Sequence, residues 1–389
     1  MVTRIAQKAL LRLAEQFPIV SITGPRQSGK STLTKLTFPD KKYVTFDDKN
    51  MRELASSNPA DFVMAFPDGA IIDEAQKVPE IFDALKLHVD STAFTPGKFI
   101  LTGSSQFRLR KNMTDSLAGR AAFLKLLPFS LKELKDEDML PENPYDIIFG
   151  GQYPPLYDKE KHYIAQDWFE SYIDTYLDID VKDQINESNL SVFRKFIQMC
   201  ALYSGQLLSM DSIAKQLGVS QPTIKSWLSI LENSYIIHLL EPDTNNLGRS
   251  IIKTPKLYFV DSGLLCHLLR LESKEELLLS KFKGAVVETC AVAEMLKCRM
   301  NQAKKPNLTF YRDSNGFEVD TIADWKHTFA VEIKSSSDAE AKLSANTKKY
   351  LSLRNDENAR NAVFYLGDVS MTINDTMYVS WKDWGDHLA

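Results

Sequence analysis

The stretch "GPRQSGKST", Gly24 to Thr32, has the spacing G-x-x-x-x-G-K-[ST], which suits a phosphate chain. Gly24 and Gly29 let backbone N–H groups curl around anionic oxygens at the positive end of a helix. Pro25, Arg26, Gln27, Ser28 and Thr32 complete the binding run. Lys30 is placed to reach the β- and γ-phosphates of ATP, and the Ser31 hydroxyl to join a Mg²⁺ shell.

Two apolar runs bring further groups. "AIIDEAQ" ends in Asp73, suited to hold Mg²⁺ through water, and Glu74, suited to polarise the water that attacks the γ-phosphate. "KFILTGSS" ends near Ser104, which reads either as a contact to the γ-phosphate or as part of an ordinary Gly-Ser turn. Arg120, in "LAGR", reads either as an arginine finger offered to a neighbouring subunit or as a surface salt-bridge residue.

A third set lies near the C-terminus. In "AVEIK", Val331 and Ile333 alternate with Glu332 and Lys334, so a strand sends the two charges to one face. Unpaired charges are costly to bury, so that face is either solvated or used. Asp320 lies on the preceding strand and Glu288 on an earlier helix.

The elements around these residues fit an α/β fold. From 1 to 135, short apolar runs at 18–24, 42–48, 69–74 and 98–105 alternate with helical patterns, which predicts a mostly parallel sheet covered on both faces. "DEDMLPENPYD" (136–146) reads as a linker. A region at 136–280 reads as mostly helical, with a long amphipathic helix over 162–185. Within it, "MDSIAKQLGVSQPTIKSWLSILEN" (210–233) reads as helix, turn, helix. Gly218 marks the turn, Ser220 the N-cap, and Gln221, Thr223, Lys225 and Ser226 lie outward on the second helix. That pattern suits DNA binding, or a winged-helix lid that packs or assembles without reading sequence. The third region, 281–389, reads as helix, three strands, helix, strand.

The 389 residues are 44% hydrophobic and carry a formal net charge of −4, so any nucleic-acid contact needs a local patch. The four cysteines show no metal-ligand spacing and fit buried free thiols. No apolar run is long enough for a membrane span. The expectation is a soluble, cytoplasmic protein.

The spacing of "GPRQSGKST", "IIDEAQKVP" and "LTGSSQFRL" resembles the AAA-type ATPases of bacteria and archaea that carry an uncharacterised C-terminal domain. "WFESYIDTYLDIDV" and "PKLYFVDSGLL" resemble that C-terminal domain. Many such ATPases have Asn where Ser104 stands. The order of helix Glu288, Asp320, then Glu332-x-Lys334 resembles the PD-(D/E)xK nuclease-like fold, with "VD" for the leading "PD". This resemblance implies that Asp320 and Glu332 hold a divalent metal, that Glu288 assists, and that Lys334 orients water or steadies phosphate charge. The combined expectation is a Mg²⁺-dependent ATPase coupled to a nuclease-like domain acting on or binding nucleic acid. Its rivals are a nucleotide-controlled switch that assembles with itself or a protein partner and cuts nothing, and a DNA-translocating motor.

Overall fold

A computed structural model of the chain describes residues 2–104, 117–177, 181, 182, 184–244, 252–354, 356 and 358–388. The first sheet has five parallel strands in the order β2-β3-β4-β1-β5: β1 Ile19–Thr23, β2 Lys42–Thr45, β3 Ala70–Asp73, β4 Phe99–Gly103 and β5 Ala121–Lys125. β1, β3 and β4 are buried along their whole length, as continuous apolar runs require. Apolar clusters lie on both faces of this sheet, one around Ile72 and Leu101, the other around Val20 and Ile100. The parallel order sends the C-terminal ends of β1, β3 and β4 to the same edge, where an open α/β sheet forms its crevice.

The middle region holds β6 Gln206–Leu207, β7 Ile237–Leu240 and β8 Lys256–Phe259 in the antiparallel order β6-β8-β7. Helices Met210–Leu217 and Gln221–Asn233 stand before β7. Gly218 ends the first in the left-handed conformation, and Ser220 caps the second by accepting from the Thr223 N–H. Ile213, Ile224, Trp227, Leu228 and Leu231 are buried, as a helix-turn-helix core requires. The expected long helix is shorter, Ala165–Tyr176, and positions 178–180 and 183 lie outside the described residues.

The C-terminal sheet runs β13-β14-β12-β11-β10-β9, with β9 Leu308–Arg312, β10 Glu318–Asp324, β11 Thr328–Ile333, β12 Arg360–Tyr365, β13 Met371–Ile373 and β14 Thr376–Ser380. β9, β10 and β11 are antiparallel, while β11, β12 and β14 are parallel. Helix Ala345–Arg354 makes the crossover between β11 and β12. Helix Lys283–Asn301 is buried on nearly every side, which explains its lack of an amphipathic stripe.

One apolar cluster runs from Leu127 to Leu388 and takes side chains from the middle and C-terminal regions alike. The stretch at 136–146 is no free linker. Met139 and Leu140 pack on that cluster, Glu137 accepts the Thr3 N–H, and Asn143 caps helix Pro144–Gly150. Its acidic, Pro-containing composition conceals these anchors. Cys200, Cys266 and Cys290 are buried, and all four thiols are free. Among the described residues no helix is long and apolar enough to cross a membrane.

A buried ion pair fastens the regions together. Lys297 Nζ lies 2.9 Å from Glu294 Oε1, both side chains sealed from water. Gln152 bridges them, donating to Glu294 and accepting from Lys297. Removing one partner of such a pair costs about 3–5 kcal/mol, because the other charge stays buried. Lys297→Met is expected to show a loss of that order in urea unfolding at neutral pH. In a Glu294→Gln background, which keeps an acceptor for the Leu131 N–H, the same change is expected to cost far less. Equal losses in both backgrounds would show that charge is not the cause.

Candidate functional site

The loop after β1 is shaped by two glycines. A Cβ at Gly24 would lie 2.0 Å from the Leu126 carbonyl oxygen, so no side chain fits there. Gly29 has φ 90° and starts helix Lys30–Thr37 with no side-chain cap. An uncapped helix start aims N–H groups at the space where an anion binds. The Lys30 ammonium curls back into the loop, 3.0 Å from Gly24 O and 2.7 Å from Pro25 O. The Ser28 hydroxyl is buried without a partner. Gln27 is exposed with φ 59°, Arg26 is half-buried, and Thr32 is exposed on the helix.

Asp73 closes the other side. Ser31 Oγ donates to its Oδ2 at 2.9 Å, Tyr43 Oη to the same oxygen at 2.5 Å, and Thr102 Oγ1 to Oδ1. Burial and the neighbouring carboxylate keep the Tyr43 phenol protonated far above its usual range. Glu74 has φ 54°, a costly conformation for a side-chain-bearing residue that clusters at functional positions. Ser104 Oγ donates to Glu74 Oε2 at 3.3 Å, and Gln76 Nε2 donates to the same oxygen. The edge thus brings together Lys30, Ser31, Asp73, Glu74 and Ser104. Ser31 and Asp73 are adjacent oxygen donors, and they fit Mg²⁺ shared with phosphate oxygens.

Arg120 is not among them. It sits at the N-terminal end of β5, where its carbonyl accepts the Ile19 N–H, a strand length from the phosphate loop. Its guanidinium grips Asp90 through Nε at 2.5 Å and Nη2 at 2.8 Å. Within the single chain it makes a salt bridge, while its arginine-finger reading concerns a neighbouring subunit.

Two residues that the motifs do not reveal touch the loop. Arg4 is buried beneath it, donating to Ser28 O and Leu127 O at 2.7 Å each and to Glu133 Oε1 at 3.0 Å. An arginine just before an apolar helix was the available signal. Tyr235, buried with φ 60°, places its hydroxyl 2.5 Å from Thr23 Oγ1, one residue before Gly24. On helix Gln221–Asn233, Gln221, Lys225 and Ser226 face outward, while Thr223 shares a hydrogen bond with Ser220.

The C-terminal charges also converge. Thr321 pairs with Val331 across the hairpin, so the next step of the ladder sets Asp320 against Glu332 on one face. Asp320 Oδ2 accepts the Ile333 N–H at 2.8 Å, and Lys334 Nζ lies 2.6 Å from Glu332 Oε1. Glu332 Oε2 is buried with no partner. Glu288 comes in from the long helix, and Lys256 and Tyr258 come in from β8. Lys256 Nζ is 3.1 Å from Glu288 Oε1 and also pairs with Glu318, and Tyr258 Oη donates to Glu288 Oε1 at 2.5 Å. Acids outnumber amines here; Lys256 and Glu332 are buried, while Glu288, Glu318 and Lys334 are half-buried. Burial, then the Asp320 charge, push both Glu288 and Glu332 up to about 7. Burial opposes the Lys256 charge, yet Glu288, Asp320 and Glu318 hold its proton well above the usual range.

The sequence did not reveal Lys256, Tyr258 or Glu318, although the alternation K-L-Y-F puts Lys256 and Tyr258 on one strand face. Among the described residues no group of three or more His, Cys, Asp or Glu side chains is arranged to hold a metal ion. Glu288, Asp320 and Glu332 are neighbours, and one oxygen of each accepts a hydrogen bond from a donor of the chain.

Comparison with known proteins divides the chain in three. Residues 16–135 match a family described as "AAA domain", while 142–275 and 283–384 match two families each described as a domain of unknown function. An uncharacterized protein of Mycobacterium tuberculosis is 29% identical over 378 residues, 96% of this chain and 82% of that one. One of Methanocaldococcus jannaschii is 24% identical over 333 residues, 77% of this chain and 71% of that one. A solved Walker-type ATPase of Pyrococcus abyssi aligns with a TM-score of 0.48 at 15% identity, covering 68% of this chain and 94% of that one. Residues 16–135, which match the AAA-domain family, hold five parallel strands, a glycine-bounded phosphate loop after β1 and paired acids at the end of β3.

Proposed function

We propose that the chain binds Mg²⁺–ATP at Gly24–Thr32 and hydrolyses it, and that this cycle governs the action of the C-terminal acidic site on nucleic acid. The observation that carries the ATPase reading is the gathering of Ser31, Asp73, Glu74 and Ser104 at the ends of β1, β3 and β4. The helix start and Lys30 hold the β- and γ-phosphates, once the ammonium exchanges the Gly24 and Pro25 carbonyls for them. Bound Mg²⁺ supplies neutralisation of the charge between those phosphates. Glu74 accepts a proton as a water oxygen bonds to the γ-phosphorus, and the bond to the β-phosphate oxygen breaks to leave ADP and phosphate. Ser104 and Gln76 keep that carboxylate aimed. The nucleic-acid part is supported by the nuclease-like layout of Asp320, Glu332 and Lys334, and by the outward Gln221, Lys225 and Ser226.

Lys30→Ala is expected to abolish ATP binding in isothermal titration. Glu74→Gln is expected to keep binding while slowing phosphate release by about 10²-fold or more, within the range for losing a general base. Wild-type turnover in Glu74→Gln would remove Glu74 as the base. Single- and double-stranded DNA are expected to change the turnover of the wild-type chain. If DNA neither binds nor changes turnover, the nucleic-acid part falls and the ATPase part stands.

The raised carboxyls give a pH signature. With Glu288 and Glu332 near 7 when folded and about 4.5 when unfolded, the folded chain binds more protons between those values. Their stabilising contribution is therefore complete below about 4.5 and is lost as the pH rises through 7. Urea midpoints between pH 5.5 and 8 are expected to fall less steeply with pH in Glu332→Gln than in wild type. Identical slopes would show that Glu332 ionises normally.

A further inference from the structure

We propose that the Lys256 ammonium is the built-in cation of the C-terminal acidic cluster, filling the role of a divalent metal and closing the site to one. Lys256 belongs to β8, not to the sheet that carries Asp320 and Glu332. Its side chain is 2% exposed and meets Glu288 at 3.1 Å and Glu318 within the same cluster. Tyr258, two residues along the same strand face, holds the same Glu288 oxygen, and the Phe310 ring lies 5.5 Å from the ammonium.

The remaining acids are likewise occupied by amines and amides. Lys334 takes one oxygen of Glu332, and the Ile333 N–H takes one of Asp320. A hard dication needs several oxygens converging on one point, and here it would bring its two charges against the Lys256 and Lys334 ammonium groups that already balance these acids. An ammonium needs only the pairings already made. The buried oxygen left over, Glu332 Oε2, faces no donor, so the cluster has spare acceptor capacity once Lys256 is gone.

This inference rests on the nuclease-like reading for its biological meaning, while the exclusion of metal rests on the geometry alone. The test uses the full chain without nucleotide. Mn²⁺ binding is followed by electron paramagnetic resonance and thermal unfolding in wild type, Lys256→Met and Lys256→Met/Asp320→Asn. Wild type is expected to show no Mn²⁺ site that depends on Asp320. Lys256→Met is expected to gain about one Mn²⁺ per chain, bound about tenfold or more tighter than in wild type, with an unfolding temperature that Mn²⁺ raises. Asp320→Asn is expected to erase the gain.

Two results overturn the proposal: a wild-type Mn²⁺ site that Asp320→Asn removes, or a folded Lys256→Met that gains none. If Lys256→Met does not fold, Lys256→Gln keeps a hydrogen-bond donor without the charge and is held to the same outcomes. If neither folds, the wild-type comparison with Asp320→Asn decides. A DNA cleavage assay with Mn²⁺ separates the two ideas. A variant that gains the ion and cuts nothing keeps the lysine's role and removes the nuclease reading.

Discussion

The Arg4 guanidinium lies under the phosphate loop almost out of reach of water, and a charge so placed has to be met by the chain itself. Glu133 meets it, and the same carboxylate closes a capping box on Ser130 at the start of helix Leu131–Asp136. The next N–H, that of Leu131, goes to Glu294 at 2.7 Å. Glu294 in turn needs Lys297 and Gln152, and the Gln152 N–H goes to Asp261, whose other oxygen caps helix Ser262–Leu268. Each buried group is satisfied by the next, so one requirement propagates from the nucleotide loop into the middle of the long helix.

That helix is common to two sites. Glu288 and Glu294 are six residues apart, about 9 Å along the axis. One serves the acidic cluster and the other the polar chain that ends at Ser28. Tyr235, just after helix Gln221–Asn233, adds a contact between the middle region and β1. Contiguous contacts of this kind are a physical route for coupling, and coupling itself is a free energy to be measured between the sites.

The phosphate loop, the acids after β3 and the alternating charges of β11 were legible because each follows from a local rule: motif spacing, an apolar run, a period of two. The helix-turn-helix was legible for the same reason, since Gly218 and Ser220 each do a job that few residue types can do. The anchoring of 136–146 was not, because Met139 and Leu140 make sense only against a core built from distant segments. Arg4 and Lys256 were not, because a single basic residue gives no sign of which carboxylate it will find. Arg120 was visible but ambiguous, and its salt-bridge partner within the chain, Asp90, lies on a different element. What sequence reading lacked in each case was the identity of a long-range partner.

The cluster around Glu288 also bears on how this chain can be divided. The two domains of unknown function meet between residues 275 and 283, and Lys256 and Tyr258 fall before that junction while Glu288, Glu318 and Glu332 fall after it. The boundary therefore passes through a single cluster of paired charges. A C-terminal piece taken alone would carry the acids and leave behind the amine and phenol that balance them. Swapping that piece between relatives transplants half of a charge-balanced cluster, so β8 and the C-terminal sheet have to be inherited, exchanged or engineered together.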